Sequence, residues 1–325
     1  MKSFTHVNAH SVDEAIELLA KYKGKTKLNA GGTDLLGVLK DRILPDYPEA
    51  IINTKTIPRL NSLEEDEEEI RIGALTTLVD LINSPLIERT YPLLKEAAIT
   101  VASPQIRNMA TIGGNLCQDT RCWYYRYLDE IGDMIKCFRK GGNTCPAVSG
   151  ENRYHAIMEA KKCFAVCPSD TAVALTALGA TLTIASVEGT RTLSVEEFFT
   201  PLGNVLTSDE MITMIHIPKP SPATRQTFQK FTLRKPIDFA VVSASSLITL
   251  DKGICINARI VLGAVAPTPV RAFKAEEFLR GKELFEETAV EAASLALAGA
   301  KPLSKNAYKV EIAKTLVKRV VKGLE

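Results

Sequence analysis

The chain has 325 residues, 46% of them hydrophobic, and a formal net charge of +2. A chain of this length buries about three quarters of the surface that its unfolded form exposes and divides into two or three packed domains. Lys and Arg are interspersed among Asp and Glu, which excludes the basic field that draws nucleic acid or an anionic membrane. No apolar run approaches the roughly 20 residues of a membrane span, and the segment Met1–His6 lacks the apolar core of a secretory signal, so the expected location is cytoplasmic. Five of the seven cysteines crowd between Cys117 and Cys163, which suits metal ligation in a reducing compartment better than a disulfide framework.

In chain order, Ser11-Val-Asp-Glu14 is a capping box opening a helix with apolar positions Ile16, Leu18, Leu19 and Tyr22. A strand at Thr26–Asn29 runs into the turn Ala30-Gly-Gly-Thr-Asp34. A helix is expected over Leu35–Ile43, stopping before Pro45, and a strand at Ala50–Asn53, giving a βαβ-like unit. The acidic run Glu64–Glu69 reads as a solvated hairpin turn before a strand at Ile70–Ala74. Helices at Leu78–Ile82 and Pro92–Val101 precede a second glycine turn, Thr111-Ile-Gly-Gly-Asn115. After the cysteine stretch, Ser169 caps a helix at Thr171–Leu178, and strands follow at Thr181–Ser186 and Met211–Ile217. Pro218, Pro220 and Pro222 mark a linker. Three antiparallel strands, Phe228–Leu233, Val241–Leu250 and Ile254–Val265, and two helices, Glu286–Ala298 and Ala307–Val321, complete an α+β pattern, with Cys255 as a core residue. The expected division is 1–55, 56–220 with a cysteine-rich insertion at about 120–165, and 221–325.

Without side chains at Gly31 and Gly32, backbone N–H groups can approach a diphosphate and donate to its oxygens, and Gly113 and Gly114 offer the same chemistry a second time. Thr33 and Asp34 add a hydroxyl and a candidate helix cap. Neither turn matches Gly-x-Gly-x-x-Gly, which disfavours a Rossmann domain. A tight loop with no ligand is the alternative for either turn alone.

Ala30-Gly-Gly-Thr-Asp-Leu35, with Ser103-Pro-Gln-Ile-Arg107 leading into Ala110-Thr-Ile-Gly-Gly-Asn-Leu116, resembles the FAD-binding subunit of the molybdenum hydroxylases, over essentially the whole chain. The resemblance implies a two-part FAD-binding domain of the vanillyl-alcohol oxidase / p-cresol methylhydroxylase type and a C-terminal α+β domain of antiparallel sheet plus helices. It implies that Ala30, Gly31, Gly32, Thr33 and Asp34, with Thr111, Gly113, Gly114 and Asn115, hold the FAD diphosphate. It further places Asp170 of Pro168-Ser-Asp at the ribityl chain, Ile212 against the isoalloxazine, and Lys230 near the ring, where a cation favours the anionic reduced flavin. As ordinary structural residues, Ile212 is a core contact and Lys230 an outward strand position.

Between Asn115 and Pro168 the chain is longer than ordinary family members, and this segment resembles the beta subunit of 4-hydroxybenzoyl-CoA reductase. That resemblance implies a [4Fe-4S] cluster on Cys122, Cys137, Cys145 and Cys163, whose soft thiolates suit iron. The spacing is not the close run of a bacterial ferredoxin. Cys167 is an alternative fourth ligand, Cys117 a candidate for the flavin side, and a tetrathiolate zinc site the competing account. Gly141 and Gly142 allow a tight loop, Lys136, Arg139 and Lys140 offset the cluster's charge, and Trp123, Tyr124 and Tyr125 shield it or simply pack. His155 reads as a loop residue holding the insertion in place.

No Ser-His-Asp set, acid–base pair or His-rich site is evident. The expected role is therefore an electron relay. The resemblance implies partners: a large subunit carrying the molybdenum cofactor, a small subunit with two [2Fe-2S] clusters, and ferredoxin, NAD or a quinone as external carrier. The rivals are the FAD subunit of a xanthine, aldehyde or N-heterocycle dehydrogenase, a self-contained flavoenzyme, and a non-enzymatic scaffold with zinc in the insertion.

Overall fold

A computed structural model describes residues 1–127, 135–235 and 237–323, so residues 128–134 of the expected insertion lie outside the described residues. The chain begins with a three-stranded parallel sheet in which Thr5–Asn8 and Thr26–Asn29 flank Ala50–Asn53. Asn8, Asn53 and Asn29 end the strands in register, and Asn53 Nδ2 donates to Asn8 Oδ1 at 2.9 Å. The first glycine turn leaves this carboxyl end, the side of a parallel sheet where open α/β folds bind ligands. Ser11 caps the helix Val12–Lys21 by accepting from Glu14 N, and Glu14 reaches back to His10 N at 2.7 Å.

The second sheet has five antiparallel strands in the order Leu63–Glu65, Glu69–Gly73, Met211–Pro218, Thr181–Ser186, Gly189–Ser194. Only Asp66–Glu68 of the acidic run form the hairpin connection, since Glu64 and Glu65 belong to the first strand and Glu69 to the second. Helices Leu78–Asn83, Pro85–Thr90 and Pro92–Ile99 cover the apolar face, and Tyr91, fully buried among them, donates its hydroxyl to Ile217 O at 3.2 Å. The helix Asp170–Leu178 is buried at every position, as its almost uninterrupted apolar sequence requires. It lies between this core and a third sheet, with Ser245 Oγ donating to Val173 O at 3.2 Å. Gly263 permits the approach, because a Cβ there would overlap Val173 and Ser243.

The third sheet is antiparallel: Thr224–Phe231, Val242–Asp251, Ile254–Gly263 and the short Val270–Arg271. Helices Phe273–Leu279 and Tyr308–Lys322 pack on it, and Glu286–Ala296 packs against those two, presenting Ala289, Ala292, Ala293 and Ala296 beside Ala313, Leu316, Val317 and Val320.

Two expected elements are corrected at their ends. The helix over Leu35–Ile43 stops at Lys40, because Arg42 turns to φ +50° and Ile43 N bonds back to Val38 O at 3.2 Å. The strand expected at Phe228–Leu233 begins at Thr224 and ends at Phe231.

Candidate cofactor sites

The two glycine turns meet. Gly31 lies so close to the second turn that a Cβ would overlap the Met109 carbonyl, and Gly32 takes φ +72°, a left-handed conformation suited to glycine. Gly113 is pressed on Ala74, where a Cβ would sit 2.8 Å from the carbonyl oxygen, and Gly114 N donates to Thr111 Oγ1 at 3.1 Å. The turns thus touch through Gly31, with Gly114 exposed and Gly31 and Gly32 half-buried, while Gly113 is buried and its N–H donates to Ala74 O at 2.9 Å. Beside Gly32, the buried Asn29 Oδ1 has no hydrogen-bond partner among the described residues.

Thr111 and Asn115 of the second turn are buried, whereas Thr33 of the first is exposed. Asn115 Oδ1 accepts from Ser169 Oγ at 2.6 Å and Thr171 Oγ1 at 2.7 Å, tying the second turn to the start of the buried helix, which Ser169 caps by accepting from Ala172 N at 3.0 Å. Asp34 makes no side-chain cap, contrary to expectation. Its carboxylate instead pairs with Arg121 at 3.0 Å and Arg126 at 2.8 Å and accepts from Asp119 N at 2.7 Å. Lys55 Nζ donates to Ala30 O at 3.0 Å. These three cations surround the first turn, and no local motif announces them: Arg121 and Arg126 stand some ninety residues along the chain.

Asp170 pairs with Lys230 at 2.7 Å, both side chains nearly buried, and Lys230 Nζ also donates to Thr100 O at 2.9 Å. Burial pushes the Asp170 carboxyl up, opposed by the ammonium. Ile212 is buried in the core of the five-stranded sheet.

Between the insertion and the third sheet opens a cavity of about 470 Å³, walled by Thr120–Trp123, Tyr154, His155, Ala165–Asp170, Leu233, Arg234 and Asp238–Val241 among others. Its size is in the range of small-molecule and cofactor sites. Arg121 joins it to the first glycine turn, stacking 4.6 Å from the Phe239 ring while holding Asp34, and burial lowers its guanidinium to about 10. Trp123 Nε1 and His155 Nδ1, both buried, have no hydrogen-bond partner among the described residues.

Cys122, Cys137, Cys145 and Cys163 line a second, small cavity with Tyr124, Tyr125, Phe138, Arg139 and Ala165. The four cysteines, spread over more than forty residues, thus converge. Cys167 does not join them and lies on the wall of the larger cavity, while Cys117 is exposed. Gly141 at φ +75° turns the loop, and Gly142 packs where a Cβ would overlap the Lys136 carbonyl. Arg139 Nε donates to Cys163 Sγ at 3.4 Å, and His155 Nε2 lies 3.3 Å from Cys122 Sγ. Burial pushes the Cys122 thiol up to about 11 against the pull of the Tyr125 and Tyr124 N–H groups, and raises the Cys145 thiol against those of Phe164 and Ala147. Among the described residues, no three His, Cys, Asp or Glu side chains converge closely enough for a single metal ion. Lys140, buried, donates to Tyr127 O at 3.4 Å.

Residues 2–220 match the FAD binding domain in molybdopterin dehydrogenase, and residues 226–324 the CO dehydrogenase flavoprotein C-terminal domain. The chain belongs to the FAD-binding subunits of the molybdopterin dehydrogenases. Within this family it is 31% identical to the aldehyde oxidoreductase FAD-binding subunit PaoB of Escherichia coli K12, over 99% of this chain and 98% of the relative. It is 30% identical to the carbon monoxide dehydrogenase medium chain of Hydrogenophaga pseudoflava, over 96% and 93%. Among solved structures, a carbon monoxide dehydrogenase from the same organism superimposes with a TM-score of 0.79 at 29% identity, covering 98% of this chain and 96% of that one. Quinoline 2-oxidoreductase from Pseudomonas putida 86 gives 0.78 at 26% identity, covering 99% and 97%. The mixed fold and the antiparallel C-terminal sheet are those of this family. Among the described residues, no helix is long and apolar enough to cross a membrane.

Proposed function

We propose that this FAD subunit is an electron relay that holds FAD across its two joined glycine turns and the 470 Å³ cavity, and a [4Fe-4S] cluster on Cys122, Cys137, Cys145 and Cys163. The observation that carries the reading is that the two cavities adjoin: Cys122 and Ala165 belong to the walls of both. When bound, FAD supplies two-electron chemistry and the cluster one-electron exchange.

The chain's own residues bind, orient and insulate. The backbone of Gly31–Thr33 would hold the diphosphate beside the second turn, whose Gly113 and Gly114 N–H groups are already taken by Ala74 O and Thr111 Oγ1, with Lys55, Arg121 and Arg126 near enough to balance its charge. Asp170, fixed by Lys230, meets the ribityl region, and the aromatic side chains of Trp123, Tyr124 and Tyr125 keep water from the cysteines. Ile212, in the core of the five-stranded sheet and not on the cavity wall, is assigned the packing role. The unit 1–55 carries one glycine turn, 56–220 the other with the insertion, and 221–325 closes the cavity. Relatives are named as subunits or medium chains, which points to a larger assembly, and in it we place the molybdenum cofactor on a large partner and [2Fe-2S] clusters on a small one.

The test is low-temperature EPR of the anaerobically purified chain after reduction, quantified against iron, zinc and flavin. A [4Fe-4S] signal beside stoichiometric FAD, lost in Cys137→Ser with FAD retained, supports the relay. Stoichiometric zinc without iron overturns the cluster and leaves a family FAD subunit with a structural clip.

A further inference from the structure

We propose that His155 is a positioning residue that donates a hydrogen bond to the Cys122 sulfur and so sets the potential of the iron-sulfur site at the wall it shares with the flavin cavity. This rests on the cluster reading above. Of the four cysteines, Cys122 alone lines both cavities, so the sulfur touched by His155 is the one through which the two sites adjoin.

The ring is held with unusual completeness for a loop residue. His155 is only 3% exposed, its backbone N–H donates to Asn152 O at 2.9 Å, and its backbone carbonyl accepts from Lys309 Nζ at 3.0 Å and Asn306 Nδ2 at 3.1 Å. Trp123 packs edge-on to the imidazole at 5.4 Å between centroids, and Tyr124 lies at 6.0 Å. Asn152 itself is anchored by Ala147 O and Ser304 Oγ. Nothing in this frame satisfies Nδ1, which is buried without a partner among the described residues. The polar contact that the ring does make is Nε2 to Cys122 Sγ, at 3.3 Å.

A sulfur bonded to iron can only accept, so the proton of the imidazole belongs on Nε2 and Nδ1 is left bare. A hydrogen bond to a ligating sulfur favours the more negative, reduced cluster and raises its potential. One electron crosses the shared wall at a time, with no bond made or broken, and His155 adjusts only how readily the cluster side accepts it.

The experiment is an EPR-monitored redox titration of the anaerobically purified full chain and of His155→Phe and His155→Gln. The phenylalanine variant should keep FAD and iron content but titrate at a more negative potential, and glutamine, which can still donate, should recover part of the shift. An unchanged midpoint in His155→Phe with the cluster intact overturns the proposal. Pulsed EPR of the wild-type chain labelled with ¹⁵N-histidine provides a second measurement independent of any variant. The chain has four histidines, and His6, His10 and His216 lie on the first and second sheets or beside them. A ¹⁵N coupling to the reduced cluster is expected, and its absence overturns the contact. Wild-type protein with FAD but no iron would instead overturn the cluster reading itself.

Discussion

Gly31 and Gly32 are adjacent but serve different ends. Gly31 is required by the neighbour that it touches, the Met109 carbonyl, whereas Gly32 is required by its own left-handed backbone. Gly31→Val should therefore separate the two turns and leave the purified chain with less than a tenth of its flavin, read from absorbance after release of the cofactor. Gly32→Ala should cost about 1–3 kcal/mol of local strain and weaken FAD retention less severely. Full flavin content in Gly31→Val would sink the joined-turn binding surface. Lys309 supplies a second residue-scale test. Its fully buried ammonium donates to the carbonyls of Tyr154, His155 and Ala264, with no carboxylate among those partners, and burial lowers it to about 7. Because the folded value lies below the unfolded one, near 10.5, the unfolded chain binds more protons between the two. Stability attributable to this group should rise as pH goes from 7 towards 10. Urea midpoints of wild type and Lys309→Met across that window check it: the difference between the two should grow with pH in favour of the wild type.

At the scale of elements, strands that alternate or run apolar were legible, and polar edge strands were not. Thr26–Asn29, Ala50–Asn53 and Thr181–Ser186 occur where the pattern places them. Thr5–Asn8 and Gly189–Ser194 are edges of their sheets, largely exposed, and their pairing comes from a neighbouring backbone rather than from side-chain periodicity. The helix Phe273–Leu279 was likewise missed, its short span offering less than two turns to read. The buried helix Asp170–Leu178 is tied to the second turn through Asn115, which accepts two hydroxyl hydrogen bonds. Asn115→Leu would leave the Ser169 and Thr171 hydroxyls, 3.3 Å apart, only each other to donate to, so that one of the two protons goes unsatisfied. At about 1–3 kcal/mol for one unsatisfied group, a loss of that size is expected in chemical denaturation. A loss below 1 kcal/mol would show that Asn115 is not the tie between these elements.

On the scale of the molecule, the Asp170–Lys230 pair joins the buried helix to the third sheet. Lys230→Met removes one partner and leaves a carboxylate in the interior, which typically costs about 3–5 kcal/mol. Adding Asp170→Asn should restore a large part of that, since the uncompensated charge is gone. Equal stability of the single and double variants would mean that the pair is not an electrostatic clamp.

By itself the sequence determined the two glycine turns, the apolar periodicities and the set of seven cysteines, because these depend on residue type and short-range order. A mixed fold with a family resemblance followed from them. Only the tertiary structure decided which distant groups meet. It brought Arg121, Arg126 and Lys55 to the first turn, separated Cys167 from Cys163 although only three residues divide them, and set the loop residue His155 beside Cys122. Such contacts arise where loops of irregular backbone cross between packed layers, and no periodicity along the chain encodes which side chains face one another there.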